Sequence, residues 1–271
     1  LHWNIGPNAW ATVIRRLRAV LEDFRRCSEP VVDDSSWLYS RKSLSRQLLL
    51  QHEIAGGGLQ DYGFLLDRGV IVNGRAFPSL TSSVRYLVDR LRPLEERTRL
   101  QLIHGDLCFN NILCDPLFGV IKLIDPRGVG APDSSAPPGL GDVRYDLAKL
   151  NHSFFGLYDA VANNLFDMHR SENNLHLSVH APPNHGFLLR LFRDEILHPN
   201  LDPGTSSLLT AALFLSMLPL HTEDPERMLA LLAIGLVLLH DGSMDCILAS
   251  APGAGTSLES EERERDVPSQ G

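Results

Sequence analysis

The stretch LIHGDLCFNNIL at residues 102–113, followed by VIKLIDPRG at 120–128, decides how the rest of the chain is read. Two short β-prone runs, Ile112-Leu113 and residues 120–124, flank the turn signal Asp115-Pro116-Leu117-Phe118-Gly119, and this pattern predicts a β-hairpin. If the hairpin turns at Phe118, Asn111 and Asp125 lie seven residues to either side, both at its open end. Residues opposed across antiparallel strands hold their Cβ atoms about 4.5 to 5.5 Å apart. An amide oxygen and a carboxylate at that separation can share one Mg²⁺, which takes oxygen ligands at about 2.0 to 2.1 Å and accepts few protein groups. Asp106, five residues before Asn111, enters the same end from the preceding loop. One free carboxylate beside a carboxylate and an amide that can hold a cation is the equipment of phosphoryl transfer, where positioning and charge neutralisation do most of the catalysis.

Working outward, residues 141–150 read GDVRYDLAKL. The series H-G-D-x-x-x-x-N-I-L, an Asp closing a hairpin, and then this segment resembles the aminoglycoside phosphotransferase and choline kinase branch of the protein-kinase-like fold. The likeness extends more loosely over most of the chain. Within that group the IDPRG and YDLAKLNHS wording is most similar to phosphotransferases found with surface-polysaccharide biosynthesis. The resemblance implies an α+β, mostly helical fold, the C-terminal lobe of such an enzyme, with a short β-hairpin at the active site. It implies ATP or another nucleoside triphosphate and Mg²⁺ as cofactors. Asp106 would be the catalytic base, and Asn111 and Asp125 the ligands of the metal and, through it, of the nucleotide. Asp146 would be a structural anchor bonded to the catalytic loop, and His104 would brace that loop. The phosphoryl acceptor would be a hydroxyl of a sugar, an aminoglycoside or an amino alcohol. For Asp146 a second reading stays open, a carboxylate placed at a helix N-terminus by the macrodipole.

The remaining segments are mainly helical in pattern. Residues 10–24 carry Trp10, Val13, Ile14, Leu17, Val20, Leu21 and Phe24 at helical spacing. Residues 30–36 read as a loop, 46–52 as part of a second helix ended by Gly56-Gly57-Gly58, and a third helix begins near Ser82. Residues 128–141 read as an irregular loop, after which Asp142 caps a helix through Phe154. Apolar helices follow near 187–197, 206–218 and 225–240. The expected organisation is one lobe over residues 1–251, with residues 1–100 as a helical lobe-connecting region, and a disordered tail over 252–271.

Composition narrows the function. With 44% hydrophobic and 21% charged residues the chain has ordinary globular usage, and its net charge of −8 gives no general attraction to nucleic acid or anionic lipid. Cys27, Cys108, Cys114 and Cys246 form no CxxC pair, so reduced, cytoplasmic chemistry is the expectation. The apolar run at 228–239 falls short of the roughly 20 residues of a membrane span, and no partner membrane is expected. Cys108 reads as a small packed hydrophobe and Arg127 as a phosphate contact or a solvated loop residue. His152 and Ser153, neighbours in a helix, face different ways. His221 reads as a helix-end histidine, and the loop acids Asp133 and Asp142 as groups that can greet a cationic substrate.

The pattern departs from the family upstream of His104. Lys42, Lys122 and Lys149 are the only lysines, and none occupies a strand position suited to holding phosphates; the glycine run at 56–58 has no following helix signature. The expectation is therefore a lobe whose N-terminal partner lobe belongs to a longer chain, and which turns over ATP poorly by itself. Two function classes follow: a small-molecule kinase, or a non-catalytic binding or scaffolding domain, including an inactive fragment lacking that lobe. A metal-dependent hydrolase is a weaker third reading, since the histidines lack ligand spacing.

Overall fold

The computed structural model describes residues 6–115, 119–127 and 137–248. In chain order its elements are α1 (Pro7–Arg26), β1 (Val31–Asp33), α2 (Ser40–Ala55), α3 (Phe64–Asp67), β2 (Val70–Val72), β3 (Arg75–Phe77), α4 (Leu80–Glu95) and β4 (Thr98–Leu102). Then come β5 (Ile112–Asp115), β6 (Val120–Leu123), β7 (Leu140–Asp142), α5 (Val143–Phe154) and α6 (Tyr158–Ala162). The last are β8 (Phe166–Ser171), β9 (Asn174–Val179), α7 (His185–Phe192), α8 (Pro203–Met217) and α9 (Pro225–His240). The architecture is α+β, 55% helical, with small sheets.

Local sequence accounts for most helix ends. Pro7 opens α1, whose Trp10, Val13, Ile14, Leu17 and Leu21 form one buried stripe. Ser79, Asp142, Asp202 and Asp224 cap α4, α5, α8 and α9, each side chain accepting a backbone N–H of the first turn. Helices α8 and α9 are buried almost all round and pack on each other, with α5 against α8. Their approach is close: Gly235 of α9 faces Leu215 of α8 with no room for a methyl group. The 18-residue stretch Pro203–Leu220 has the length and apolarity of a membrane span, with 56% of it buried inside the fold. Among the described residues this stretch, rather than the run at 228–239, is the segment closest to that limit.

Among the described residues three sheets complete the fold, in orders β1-β4-β7, β3-β2-β9-β8 and β5-β6, all strand pairs antiparallel except β2 with β9. Two expected loops are partly strand. Val31–Asp33 pairs with β4 inside the 30–36 segment, and Leu140–Asp142 pairs with β4 at the end of the 128–141 segment, of which 128–136 lie outside the described residues. The first hundred residues also contain the β2–β3 hairpin, so that region is not helical throughout. Asn73 and Gly74, with φ of 47° and 81°, make its two-residue turn. The tail assigned to 252–271 lies outside the described residues.

The hairpin β5–β6 has a register one residue away from the expected one. Ile112 pairs with Leu123 and Asp115 with Val120, so Asn111 stands opposite Ile124 and not Asp125. The Ile124 N–H donates to the Asn111 carbonyl at 3.0 Å. A one-residue slip normally sends a side chain to the other face of the ladder. Here the ladder has ended, and Asp125 takes φ of 52°, a left-handed conformation that Asp tolerates better than most residues. Both Asn111 and Asp125 consequently line one cleft.

Candidate active site

The loop between β4 and β5 carries His104, Asp106 and Asn111, and it is tied at each end. Asp146, on the first turns of α5, is buried; its two carboxylate oxygens accept the backbone N–H groups of His104 at 2.7 Å and of Gly105 at 2.9 Å. Gly105 has φ of 80°, the left-handed turn that brings those two N–H groups to one carboxylate. Burial pushes the Asp146 carboxyl up to about 6, against the pull of the two N–H groups and of Lys149. At the other end Phe109 packs edge-on to Phe154, with ring centroids 4.6 Å apart, and its N–H donates to the Ser153 hydroxyl. Both Asp146 and Ser153 belong to α5, which therefore sets the loop's height and angle.

His104 joins this loop to the far strand of the hairpin. Its Nε2 lies 2.9 Å from the Ile124 carbonyl, which can only accept, so the proton sits on Nε2. Nδ1 is then the acceptor of the Asp106 N–H at 3.3 Å. Burial lowers the His104 pKa, in keeping with this neutral tautomer. The backbone adds a second tie, with Arg127 N–H donating to the His104 carbonyl at 2.7 Å.

Asn111 ends the single helical turn Phe109–Asn111. Its side-chain Nδ2 donates to the Asp106 carbonyl at 2.8 Å, which fixes the amide's orientation and leaves Oδ1 as a free-facing acceptor. Asp106 is mostly enclosed, its side chain 14% exposed, and two cations hold it: Lys149 Nζ at 2.7 Å from Oδ1 and Arg127 Nε at 3.5 Å from Oδ2. Burial would raise the Asp106 carboxyl, but Lys149 first, then Arg127 and the Asn111 amide, hold it below its ordinary value. Asp125 is 61% exposed, and the same Arg127 guanidinium reaches it at 3.5 Å. One arginine thus spans Asp106 and Asp125.

The cleft has a volume of about 1110 Å³ and joins these groups to the N-terminal half of α2 and the end of α8. Among the described residues no three of His, Cys, Asp and Glu converge as a metal group. Asn111 and Asp125 by themselves offer two oxygen donors. That set fits Mg²⁺ completing its shell from phosphate oxygens and water, and does not fit a self-contained protein metal centre.

Several other residues singled out from sequence pack, cap or line the cleft wall. Cys108 is buried beside Asp106, and burial raises its thiol pKa, opposite to what a nucleophile needs. His152 is fully buried, stacked on Tyr158 at 4.2 Å, while Ser153 serves Phe109; the two face apart. Asp142 is buried as the α5 cap and pairs with Arg144 at 2.6 Å, so it does not greet a substrate; Asp133 lies outside the described residues. His221 is half-buried on the cleft wall, 3.7 Å from Glu223. Sequence reading passed over Lys149 and Tyr145 as parts of a motif. Their spacing of four on a helix that also carries Asp146 puts them on one face, which was the available signal.

Comparison of the chain with family models, with curated proteins and with solved structures finds no match in any of the three.

Proposed function

We propose that the chain is the catalytic lobe of a Mg²⁺-dependent phosphotransferase of the aminoglycoside phosphotransferase and choline kinase type, working in the cytoplasm. It would transfer the γ-phosphoryl group of ATP, or another nucleoside triphosphate, to a small-molecule hydroxyl, with surface-polysaccharide metabolism as the setting. The observation that carries this reading is the convergence of Asp106, Asn111 and Asp125 on one cleft, with Asp106 on a loop pinned by Asp146 and His104.

In this reading Asp106 accepts the proton of the acceptor hydroxyl, and its depressed pKa keeps it ionised for that task. Lys149 holds the carboxylate in place from below. Arg127, spanning the two aspartates, is positioned to meet negative charge that develops on the transferred group. Asn111 Oδ1 and the Asp125 carboxylate would hold Mg²⁺, which when bound supplies charge neutralisation to the phosphates. A covering lobe and a phosphate-holding lysine from the same longer chain belong to the proposal as partners.

The test separates the two aspartates by calorimetric titration with ATP and Mg²⁺. Asp125→Asn should weaken Mg²⁺-dependent nucleotide binding by about tenfold or more, whereas Asp106→Asn should remove turnover and leave nucleotide binding by the folded protein intact, at the stability cost of an unpaired Lys149. Nucleotide binding indifferent to both Mg²⁺ and Asp125 would refute the metal assignment, and full activity in Asp106→Asn would refute the base. A non-catalytic binding domain is favoured by one observation, that both Asp106 oxygens already face cations. It predicts nucleotide binding with no Asp106-dependent turnover even when the upstream lobe is supplied.

A further inference from the structure

The cleft around Asp106 is basic in a chain that is acidic overall. Among the described residues five cations line it, Arg41, Lys42, Arg46, Arg127 and Lys149, against the carboxylates Asp106 and Asp125. Three of the five are occupied: Lys149 and Arg127 by those two aspartates, and Arg41 by Asp34 at 2.6 Å. Lys42 and Arg46 are left, one helical turn apart on α2 and so on one face. Among the described residues no carboxylate lies within ion-pair reach of either. Lys42 Nζ instead donates to the Tyr145 hydroxyl at 2.7 Å and sits 5.1 Å from that ring's centroid. Half-buried cations without counter-charge raise the local potential, and a low-dielectric cleft wall focuses it.

Their place in the cleft assigns them a role. A row of neighbours runs from Asn111 through Asp106 and Lys149 to Tyr145, one turn away on α5, and on to Lys42. Asp106 therefore stands between the Asn111 and Asp125 side and the α2 side. In phosphoryl transfer the entering and leaving oxygens lie roughly in line across the transferred group. With the nucleotide on the Asn111 and Asp125 side, the hydroxyl reaches Asp106 from the α2 side. Trp37, Tyr158, Met217 and Leu220 give that side apolar and aromatic surface for a ring.

We propose that Lys42 and Arg46 form an anion subsite, and that the acceptor is a phosphorylated sugar, its phosphate on this pair and its free hydroxyl at Asp106. The paired charges and the arginine fork suit a phosphate dianion. A cationic aminoglycoside or choline would meet like charge there, which disfavours it. The acceptor assignment rests on the phosphotransferase reading, whereas the subsite itself does not.

The full chain is titrated by calorimetry, without nucleotide or Mg²⁺, with glucose 1-phosphate, mannose 1-phosphate and N-acetylglucosamine 1-phosphate. Glucose, choline, kanamycin and inorganic phosphate are titrated in parallel, and MgATP separately. At least one sugar phosphate should bind about tenfold more tightly than glucose, choline, kanamycin or inorganic phosphate. Lys42→Gln and Arg46→Gln should each weaken it by about tenfold, with Arg46→Lys, which keeps the charge and loses the fork, weakening it less than Arg46→Gln, and MgATP binding unchanged in all three. Arg90→Gln on α4, outside the cleft, should change nothing, and thermal unfolding of each variant checks that it is folded. Choline or kanamycin binding as tightly as every sugar phosphate overturns the proposal, as does the absence of any sugar-phosphate binding. An equal loss of MgATP affinity in the Lys42 and Arg46 variants overturns the acceptor assignment and gives the subsite to the nucleotide. Sugar-phosphate binding that depends on Lys42 and Arg46 in a chain that never binds MgATP supports the subsite while refuting the phosphotransferase reading.

Discussion

Asp106 and Lys149 form a pair in which each ion makes the other tolerable. Their side chains are 14% and 12% exposed, and 2.7 Å separates the Asp106 carboxylate from the Lys149 ammonium. Burial alone would lower the Lys149 pKa; Tyr145 and Asp106 reverse that and raise it, so the ammonium persists across the physiological range. Removing one partner of such a pair leaves an uncompensated charge, which costs about 3 to 5 kcal/mol, whereas replacing both costs much less. Lys149→Met should therefore destabilise the fold by about that amount, and adding Asp106→Asn should recover most of it. Urea unfolding of the two single variants and the double variant measures the coupling. Additive losses would mean that the pair is not coupled and that Lys149 does not position Asp106. The same logic explains why Asp146, though fully buried, needs no cation at contact distance: two backbone N–H groups meet its two oxygens.

At the scale of elements, what was legible in the sequence was whatever has a local cause. The stripe on α1, the cap of α5, and the β5–β6 hairpin apart from its register all follow from spacing and turn chemistry, while the Ser79 cap of α4 lies three residues before the expected start near Ser82. The β2–β3 hairpin was equally legible and was passed over: Asn73-Gly74 between VIV and RAF is a strong short-range hairpin signal. β1 and β7 were not legible, since each is three residues long and exists because β4 offers an edge on either side. The grouping of Asp106, Asn111 and Asp125 was visible in spacing, but the left-handed turn at Asp125 and the Lys149 ion pair depend on contacts between distant elements. Close approach between elements was likewise hidden. A Cβ on Gly156, just beyond α5, would lie 2.4 Å from Phe214 of α8 and 2.9 Å from the His152 carbonyl. The backbone contact cannot be relieved by a rotamer change, so Gly156→Ala should cost about 1 to 3 kcal/mol by overpacking. A denaturant midpoint equal to that of the wild type would show that α5 and α8 have slack the geometry does not reveal.

Across the whole molecule, burial acts in one direction on five histidines. His104, His152, His185, His221 and His240 are each held below the ordinary value of 6.5, with desolvation the first cause in every case. The unfolded chain protonates them near 6.5 while the folded chain keeps them neutral, so unfolding takes up protons and stability rises with pH. Their contribution is complete above 6.5 and is lost as pH falls below it. Asp146 runs the other way. With its carboxyl raised by burial to about 6, its contribution is present below the unfolded value of 3.8 and lost as pH rises through about 6. The two effects oppose each other just below about pH 6, and the histidines dominate between there and 6.5. Each fully displaced histidine is worth about 1.4 kcal/mol per pH unit. His152 isolates one of them. Its ring lies between Tyr158 and Phe214, neither nitrogen has a hydrogen-bond partner, and the charges that reach it, from Lys149, Lys42 and His221, all disfavour its protonation. His152→Phe keeps an aromatic ring in that stack and removes two unsatisfied polar atoms. The unfolding midpoint should therefore be equal or higher at about pH 7.5, and the loss of stability on acidifying to about pH 5.5 should be smaller than in the wild type. Midpoints measured at both pH values in the two proteins decide it: an unchanged pH slope in His152→Phe would mean that this histidine is protonated in the folded chain, and the buried-neutral assignment would fail.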